Sequence, residues 1–154
     1  MTTAIFAGSF DPVTNGHYDI LKQASEIFDK VIIAVAYNPS KSVFLPVEER
    51  LSLIKLIIKD FDNVEADTFD GLTVNYAQKN GAEVLIRGIR NSVDFEYENR
   101  MAQINHTINP EIKTVFLTPK HENSAISSSA VRELIEHGSD ISDFVPNQIK
   151  NYFK

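Results

Sequence analysis

Five short apolar runs alternate along the chain with longer segments in which apolar residues recur every three or four positions. The runs are rich in Val and Ile and scarcely alternate with polar residues, which is typical of strands covered on both faces. They therefore predict five buried strands. These are TAIFAG (3–8), KVIIAVAY (30–37), the weaker NVEAD (63–67), AEVLIRG (82–88) and KTVFLTP (113–119).

The segments between the runs have the period of amphipathic helices. The apolar stripes of the first two are formed by Ile20, Leu21, Ala24, Ile27 and Phe28 and by Leu51, Ile54, Ile57 and Ile58. Shorter helices are predicted over 72–79 and from about residue 93 to residue 104. A last helix is predicted in ISSSAVRELIEHG (126–138), which opens with serines and reaches a glycine where a helix would stop.

Strands that alternate with helices predict right-handed crossovers and a sheet that is mainly parallel. The sequence thus favours the α/β class, as a Rossmann-like, doubly wound, mainly parallel five-stranded sheet with helices on both faces. No repeat, low-complexity tract or Pro/Gly/Ser-rich linker interrupts the chain, and 154 residues is the size of one ordinary domain. We therefore expect a single domain over 1–154.

The charge and composition narrow the range of partners. The formal net charge is −6, whereas binding to the DNA or RNA backbone without sequence preference needs a basic face. The chain has no Cys, so disulfides and thiolate chemistry are excluded. The longest apolar run, VIIAVA (31–36), is too short to span a bilayer. We expect a cytoplasmic protein with no nucleic-acid partner and no membrane partner.

Residues capable of chemistry follow the predicted strands. In doubly wound sheets the ligand crevice lies beyond the carboxyl ends of the strands, where the strand order reverses. The residues in question are Gly8, Ser9, Asp11 and His17 after the first strand, Asn38 and Lys41 after the second, Arg87 and Arg90 after the fourth, and Lys120, His121 and three serines after the fifth. Cations gathered at one edge of an acidic chain favour an anionic ligand.

The first of these groups has the features of a phosphate site. Thr14 or Asn15 can cap a helix that begins near Gly16, which places His17 in its first turn, beside free backbone N–H groups and the positive end of the helix dipole. Phosphates bind in this setting, and a histidine there adds a donor for charge on a phosphoryl oxygen. A turn, a helix cap and a surface histidine use the same residues, so both interpretations are open at this point.

Three further groups admit a functional and a structural interpretation. Lys41 in NPSK (38–41) suits a phosphate ligand or a solvated loop lysine. Arg87 and Arg90 flank a glycine in IRGIR directly after a buried strand, and arginine forks match phosphate. The serines of ISSS (126–129) open a helix whose N-terminus suits an anion, although one of them is needed as the N-cap.

The segment DFEYE (94–98) is also open to two interpretations. Tyr97 and Glu98 are placed to border a base or a sugar. Phe95 and Ala102 have helical spacing, and we expect them on a buried helix face.

No resident metal site is predicted. His106, His121 and His137 lack ligand spacing, and the chain contains no P-loop sequence. Any Mg²⁺ is expected to arrive on substrate phosphates, as this ion usually does.

Taken together, GSFDPVTNGH (8–17) and ISSSAVRE (126–133) resemble the nucleotidyltransferase superfamily, whose marks are a T/H-x-G-H element and an ISS-type helix start. Thr14, Gly16 and His17 fill the first element. Within that superfamily, NPSK and EVLIRGIRNSVDFEYE (83–98) are similar to the bacterial phosphopantetheine adenylyltransferases. The resemblance runs along essentially the whole chain.

The resemblance implies transfer of AMP from ATP to 4′-phosphopantetheine, which gives dephospho-coenzyme A and pyrophosphate, the penultimate step of coenzyme A synthesis. It implies direct in-line attack without a covalent enzyme intermediate, with Mg²⁺ carried by the ATP phosphates. It also implies a homohexamer built as a dimer of trimers and feedback inhibition by coenzyme A.

The resemblance further implies roles for individual residues. Those expected at ATP are Ser9, Phe10, His17, Gly88, Ile89, Arg90, Glu98, Asn123, Ser124, Ala125, Ile126, Ser127, Ser128 and Ser129. Those expected at phosphopantetheine are Ser9, Lys41, Thr73 and Arg87. The catalytic set is Ser9, His17, Lys41 and Arg90, in which His17 stabilises charge on the α-phosphoryl group and His17, Lys41 and Arg90 neutralise phosphate charge.

Two alternatives to this function stay open on the sequence. The first is another small nucleotidyltransferase, which acts on nicotinamide mononucleotide or makes CDP-alcohols. The second is a non-catalytic nucleotide sensor that keeps the crevice and makes no product, because kinship of fold does not guarantee activity.

Overall fold

Five strands and five α-helices alternate strictly along the computed structural model, which describes residues 1–154. Their bounds are β1 Thr3–Gly8, α1 Asn15–Ile27, β2 Lys30–Ala36, α2 Val47–Ile57, β3 Val64–Phe69, α3 Thr73–Lys79, β4 Val84–Gly88, α4 Ser92–Ile108, β5 Lys113–Leu117 and α5 Ser128–Glu136. Short 3₁₀ helices are found at Ile58–Asp60, His121–Asn123 and Asn147–Ile149. Each predicted strand and helix is therefore present.

The strands form one sheet in the order β3-β2-β1-β4-β5, and every neighbouring pair is parallel. β2 and β3 lie successively on one side of β1, and β4 and β5 lie successively on its other side. The strand order thus reverses between β1 and β4, where a crevice is expected in such sheets. The predicted α/β fold is confirmed.

Alternate residues of strands β1 to β4 enter two separate apolar cores, one on each face of the sheet. Ala4 and Phe6 of β1 join the larger core with α1, α2 and α5. Ile5 and Ala7 join the smaller core with α3. This double coverage explains why the strands read as continuous apolar runs.

The predicted helical faces need two corrections. In α2 the buried side chains are Arg50, Leu53, Ile54 and Ile57, so a charged residue occupies the first position of the apolar pattern. In α4 the only buried residue is Glu98, and Phe95, which we expected on the buried face, is 45% exposed. The reason is that α4 packs near β5, an edge strand whose own residues are half-buried or exposed.

No helix of the fold combines the length and the apolar character that crossing a membrane requires.

Candidate active site

Two cavities open at the carboxyl ends of the strands, and Ser9 lines both of them. The first cavity, of about 220 Å³, lies where β1 and β4 diverge. It is lined by Phe6, Ala7, Gly8, Ser9, Phe10, Thr14, Gly16, His17, Ile20, Arg87, Gly88, Arg90, Pro119, Ile126, Ser127 and Ser128. The second cavity, of about 890 Å³, lies beyond β2 and includes Lys41, Arg50, Asp70 and Arg132. A site with two compartments that meet at one serine suits two ligands in contact.

The start of α1 fixes the orientation of the His17 ring. Thr14 is the N-cap, and its side-chain oxygen accepts a hydrogen bond from the His17 backbone N–H. In return, His17 Nδ1 accepts the Thr14 backbone N–H at 2.9 Å, which completes a capping box. Because Nδ1 is an acceptor, the neutral ring carries its proton on Nε2. Nε2 makes no hydrogen bond within the protein. Because every buried side-chain polar atom has a partner, Nε2 is not buried, and it reaches the open space of the cavity.

His17 is neutral at physiological pH. Burial of the ring, followed by the positive charges of Arg87 and Arg90, lowers the pKa of His17 from 6.5 to about 4. Before a phosphate binds, the ring therefore offers a directed N–H donor and no positive charge, which differs from the expectation that His17 neutralises phosphate charge. A donor held in place by a helix cap stabilises a phosphoryl oxygen without reorganisation.

This lowered pKa predicts a pH dependence of folding. Between pH 6.5 and pH 4 the unfolded chain binds a proton on this histidine while the folded chain does not. The free energy of unfolding should therefore fall as the pH is lowered through this range, with about 3 kcal/mol lost at pH 4 from this group. Urea unfolding across the range should show a smaller fall in the His17→Gln variant. Equal falls in the two proteins would contradict the shifted pKa.

Phe10 is buried and packs against the His17 ring. Its ring meets the His17 ring edge-to-face at 5.0 Å, and its backbone has a φ of +48°. A side chain at Gly8 would come within 3.1 Å of the Phe10 ring. Gly8 is thus needed to seat the aromatic ring, which in turn packs against the histidine.

The two arginines that follow β4 are engaged in different ways. Arg87 makes a two-pronged ion pair with Glu98, at 2.7 Å from both Nε and Nη2, and its Nη1 donates to the Ala7 carbonyl at 2.7 Å. Arg90 pairs less tightly with Asp94, at 3.3 Å from Nε. Both side chains line the first cavity, whereas Glu98 lies behind Arg87 and away from the cavity wall.

The serines before α5 are partly used by the fold. Ser127 is the N-cap and accepts the Ala130 N–H, and Ser128 Oγ donates to the Pro12 carbonyl at 2.8 Å. Ser128 thereby ties the start of α5 to the β1–α1 loop. Ser127 and Ser128 line the first cavity, so the N-termini of α1 and α5 both face it. Two helix N-termini at one cavity favour an anion.

The structure places the expected ligand residues in three groups. Ser9, Phe10, His17, Arg87, Gly88, Arg90, Ile126, Ser127 and Ser128 line the first cavity. Ser9 and Lys41 line the second cavity, with Lys41 on an exposed loop after β2. Outside the walls of both cavities are Thr73, Ile89, Glu98, Asn123, Ser124, Ala125 and Ser129.

Sequence reasoning missed two buried charged residues beside the cavities. Asp19 accepts the Lys120 backbone N–H and the Asn123 side-chain amide, at 3.1 and 2.6 Å, and so fixes the loop before α5. Arg50 lies 2% exposed beneath the second cavity. The sequence did contain a signal for such residues, namely a charged residue at a position where the helical period predicts an apolar one.

A parallel sheet with this strand order and this cavity defines a doubly wound α/β protein with a crevice where the strand order reverses. Comparison with known proteins identifies its family. The family model of the cytidylyltransferase-like proteins matches residues 5–134, and the chain belongs to that family. Two curated relatives, from Lachnoclostridium phytofermentans and Alkaliphilus metalliredigens, are each named phosphopantetheine adenylyltransferase. The first is 50% identical, covering 97% of this chain and 91% of the relative, and the second is 48% identical, covering 95% and 93%. The expected family is confirmed.

Among solved structures, one described as a nicotinate-nucleotide adenylyltransferase from Vibrio parahaemolyticus superposes with a TM-score of 0.74 and covers 99% of both chains. Its sequence identity is 20%, so the likeness concerns the fold. A lipopolysaccharide core biosynthesis protein from Thermoplasma volcanium matches 77% of this chain with a TM-score of 0.56.

Proposed function

We propose that this protein is an enzyme that transfers AMP from ATP to 4′-phosphopantetheine, with dephospho-coenzyme A and pyrophosphate as products. The observation that carries the proposal is the pair of cavities that meet at Ser9, one beneath two helix N-termini and the other beside Lys41. Its relatives' shared name agrees with this reaction.

The two cavities divide the substrates between them. The first cavity receives the triphosphate, because Arg90, the His17 N–H and the start of α5 all face it. The second, larger cavity receives phosphopantetheine, whose phosphate lies between Lys41 and Ser9. This arrangement brings the acceptor phosphate towards the α-phosphorus of ATP.

The proposed reaction is a single in-line displacement. An oxygen of the phosphopantetheine phosphate forms a bond to the α-phosphorus, and the bond from that phosphorus to the oxygen of pyrophosphate breaks, with its electron pair leaving on pyrophosphate. The attacking phosphate is already anionic at neutral pH, so no strong general base is needed. His17 Nε2–H donates to an α-phosphoryl oxygen, and positioning by Ser9, Lys41 and Arg90 supplies the rest.

Mg²⁺ is proposed to enter as part of the ATP substrate. None of the residues that line the first cavity is an Asp or a Glu, and the chain has no cluster of three His, Cys, Asp or Glu residues placed to hold a metal. The triphosphate oxygens are the hard ligands that this ion prefers. Bound in that way, the ion spreads the charge of the leaving pyrophosphate.

We also propose the homohexamer that the resemblance implies. Val93, Tyr97, Ile104 and Ile108 are exposed and recur along one side of α4. An exposed apolar stripe of this kind favours contact with another copy of the chain. Feedback inhibition by coenzyme A stays a prediction from the resemblance, and a cytoplasmic location stays a prediction from the composition.

The decisive experiment measures pyrophosphate release with ATP, Mg²⁺ and 4′-phosphopantetheine, with mass identification of the nucleotide product. We expect release with this acceptor alone. Parallel reactions contain pantetheine, nicotinamide mononucleotide with ATP, or glycerol 3-phosphate with CTP. Release with one of these other phosphorylated acceptors would replace the proposed substrate. Tight ATP binding without release from any mixture would favour a nucleotide sensor.

A further inference from the structure

Arg50 is a buried cation without a carboxylate partner. Its residue is 2% exposed, and the ion pairs of the structure involve Lys30, Arg87 and Arg90 only. Its guanidinium bonds instead to three backbone carbonyls, with Nη1 at 2.8 Å from Ser9 O and 3.0 Å from Ala36 O, and Nε at 3.0 Å from Leu45 O. A buried charge is costly, so its retention with only carbonyl partners calls for an explanation.

The three carbonyls belong to the segments that carry Ser9 and Lys41. Ala36 ends β2 and Leu45 lies just before α2, so the two residues are the ends of the loop 37–44 that holds Lys41. Ser9 lies in the separate loop between β1 and α1. One guanidinium therefore closes the Lys41 loop at its base and joins it to the Ser9 loop.

Asp11 also bonds to the end of the Lys41 loop. Its carboxylate accepts the Phe44 N–H at 2.8 Å from Oδ2 and the Leu45 N–H at 2.8 Å from Oδ1. Leu45 is thus held through its N–H by Asp11 and through its carbonyl by Arg50. Residues 38–43 between these anchors are exposed. Within the loop the Lys41 N–H donates to the Asn38 carbonyl at 3.0 Å, and the bonds of Asp11 and Arg50 tie the end of this loop to the rest of the fold.

We propose that Asp11 and Arg50 form a clamp that positions Lys41 relative to Ser9, so that both face the phosphate of the second substrate. The assignment of that substrate rests on the proposed function. Asp11 and Arg50 border the second cavity. Their hydrogen bonds hold the two loops, so we assign them as positioning residues that act on the ligand through Lys41 and Ser9. The fork of arginine is required because its donors lie on separate nitrogens, whereas a lysine would concentrate all three donors on one atom.

The test is a double-mutant cycle between Arg50 and Lys41. Arg50→Lys in the full-length enzyme should lower kcat/KM for phosphopantetheine by at least tenfold while the KM for ATP changes by less than about twofold. Lys41→Ala alone should raise the KM for phosphopantetheine. In the Lys41→Ala background, adding Arg50→Lys should cost less than about threefold. Equal losses in both backgrounds, or a matching rise in the KM for ATP, would overturn the clamp.

Two further variants separate positioning from loss of stability. Leu53→Val removes buried volume one turn along α2 but no hydrogen bond to either loop, and it should leave the KM for phosphopantetheine unchanged. Asp11→Asn replaces one of the two acceptor oxygens with a donor, and it should show the same selective loss as Arg50→Lys. If Arg50→Lys does not fold, Asp11→Asn in the same cycle decides the matter.

Hydrogen exchange gives a readout that does not depend on activity. The Phe44 and Leu45 amides donate to Asp11 and should exchange at least tenfold faster in Arg50→Lys, with the amides of α5 unchanged. Wild-type turnover with phosphopantetheine tests the proposed function separately. If the wild type is active but the amides in the variant are unchanged, the clamp is wrong and the proposed function stands. If the wild type is inactive but the amides in the variant exchange faster, the proposed function is wrong and the clamp stands. Unchanged exchange at both amides would overturn the clamp.

Discussion

His17→Ala lowers kcat by about 10²- to 10³-fold, while the dissociation constant of ATP changes by less than about threefold; this is the expected result for a donor that acts mainly in the transition state. The physical reason lies in the ring's environment. Its pKa of about 4 keeps it neutral, so it adds no charge to hold the triphosphate in the ground state. In the proposed reaction the Nε2–H strengthens its bond only as charge builds on the α-phosphoryl oxygen.

The alanine variant also removes a helix cap, since Nδ1 accepts the Thr14 N–H. His17→Gln separates the two roles, because glutamine at this position of a capping box can reach back to the same N–H. We expect this variant to keep most of the stability and to lose turnover nearly as fully as the alanine variant. His137→Ala, at the exposed end of α5, is the matched histidine control and should retain wild-type turnover.

Steady-state kinetics with both substrates and direct titration of ATP are the measurements. A transition-state role is contradicted if His17→Ala weakens ATP binding by the same factor as it lowers kcat. Recovery of wild-type turnover in His17→Gln would show that the cap, and not the imidazole, is what the reaction needs.

Most of the fold was accessible from the sequence because its strands are covered on both faces. Each strand of the sheet matched a predicted apolar run, including β3, whose weaker pattern reflects exposed positions such as Glu65. α4 was predicted as a helix but with the wrong face, because periodicity shows which residues share a side and not what lies opposite. Phe95 looked like a core residue, yet the helix borders an edge strand and is largely uncovered.

The candidate site was accessible for a different reason. The carboxyl ends of parallel strands meet at one edge, so the residues that follow β1 and β4 had to come together, and Ser9, His17, Arg87 and Arg90 line one cavity. What the sequence leaves undetermined is the pairing of charges among such residues. The bonds of Arg50 join segments up to 41 residues apart, and they depend on how two loops fold against one helix.

The ion pair of Arg87 and Glu98 is a second charge pairing that the sequence does not determine. Its removal is the second prediction with a large expected effect. Arg87→Ala is expected to lower kcat/KM by about 10²-fold and to reduce the free energy of unfolding by about 3 kcal/mol. Two causes are combined in this variant. Arginine has five N–H donors, of which three are used within the protein, so the others are free for a phosphate at the cavity. Its removal also leaves the Glu98 carboxylate buried without a partner.

A paired replacement separates these causes. In the double variant Arg87→Met/Glu98→Leu no unpaired charge is left behind, and apolar pairs of similar size can replace a buried ion pair at little cost. The free energy of unfolding measured in urea should therefore return to within about 1 kcal/mol of the wild type. The catalytic loss should persist, because the donors that face the substrate are still missing. If kcat/KM recovers together with stability, Arg87 serves the fold alone, and the phosphate must be held by Lys41, Ser9 and Arg90.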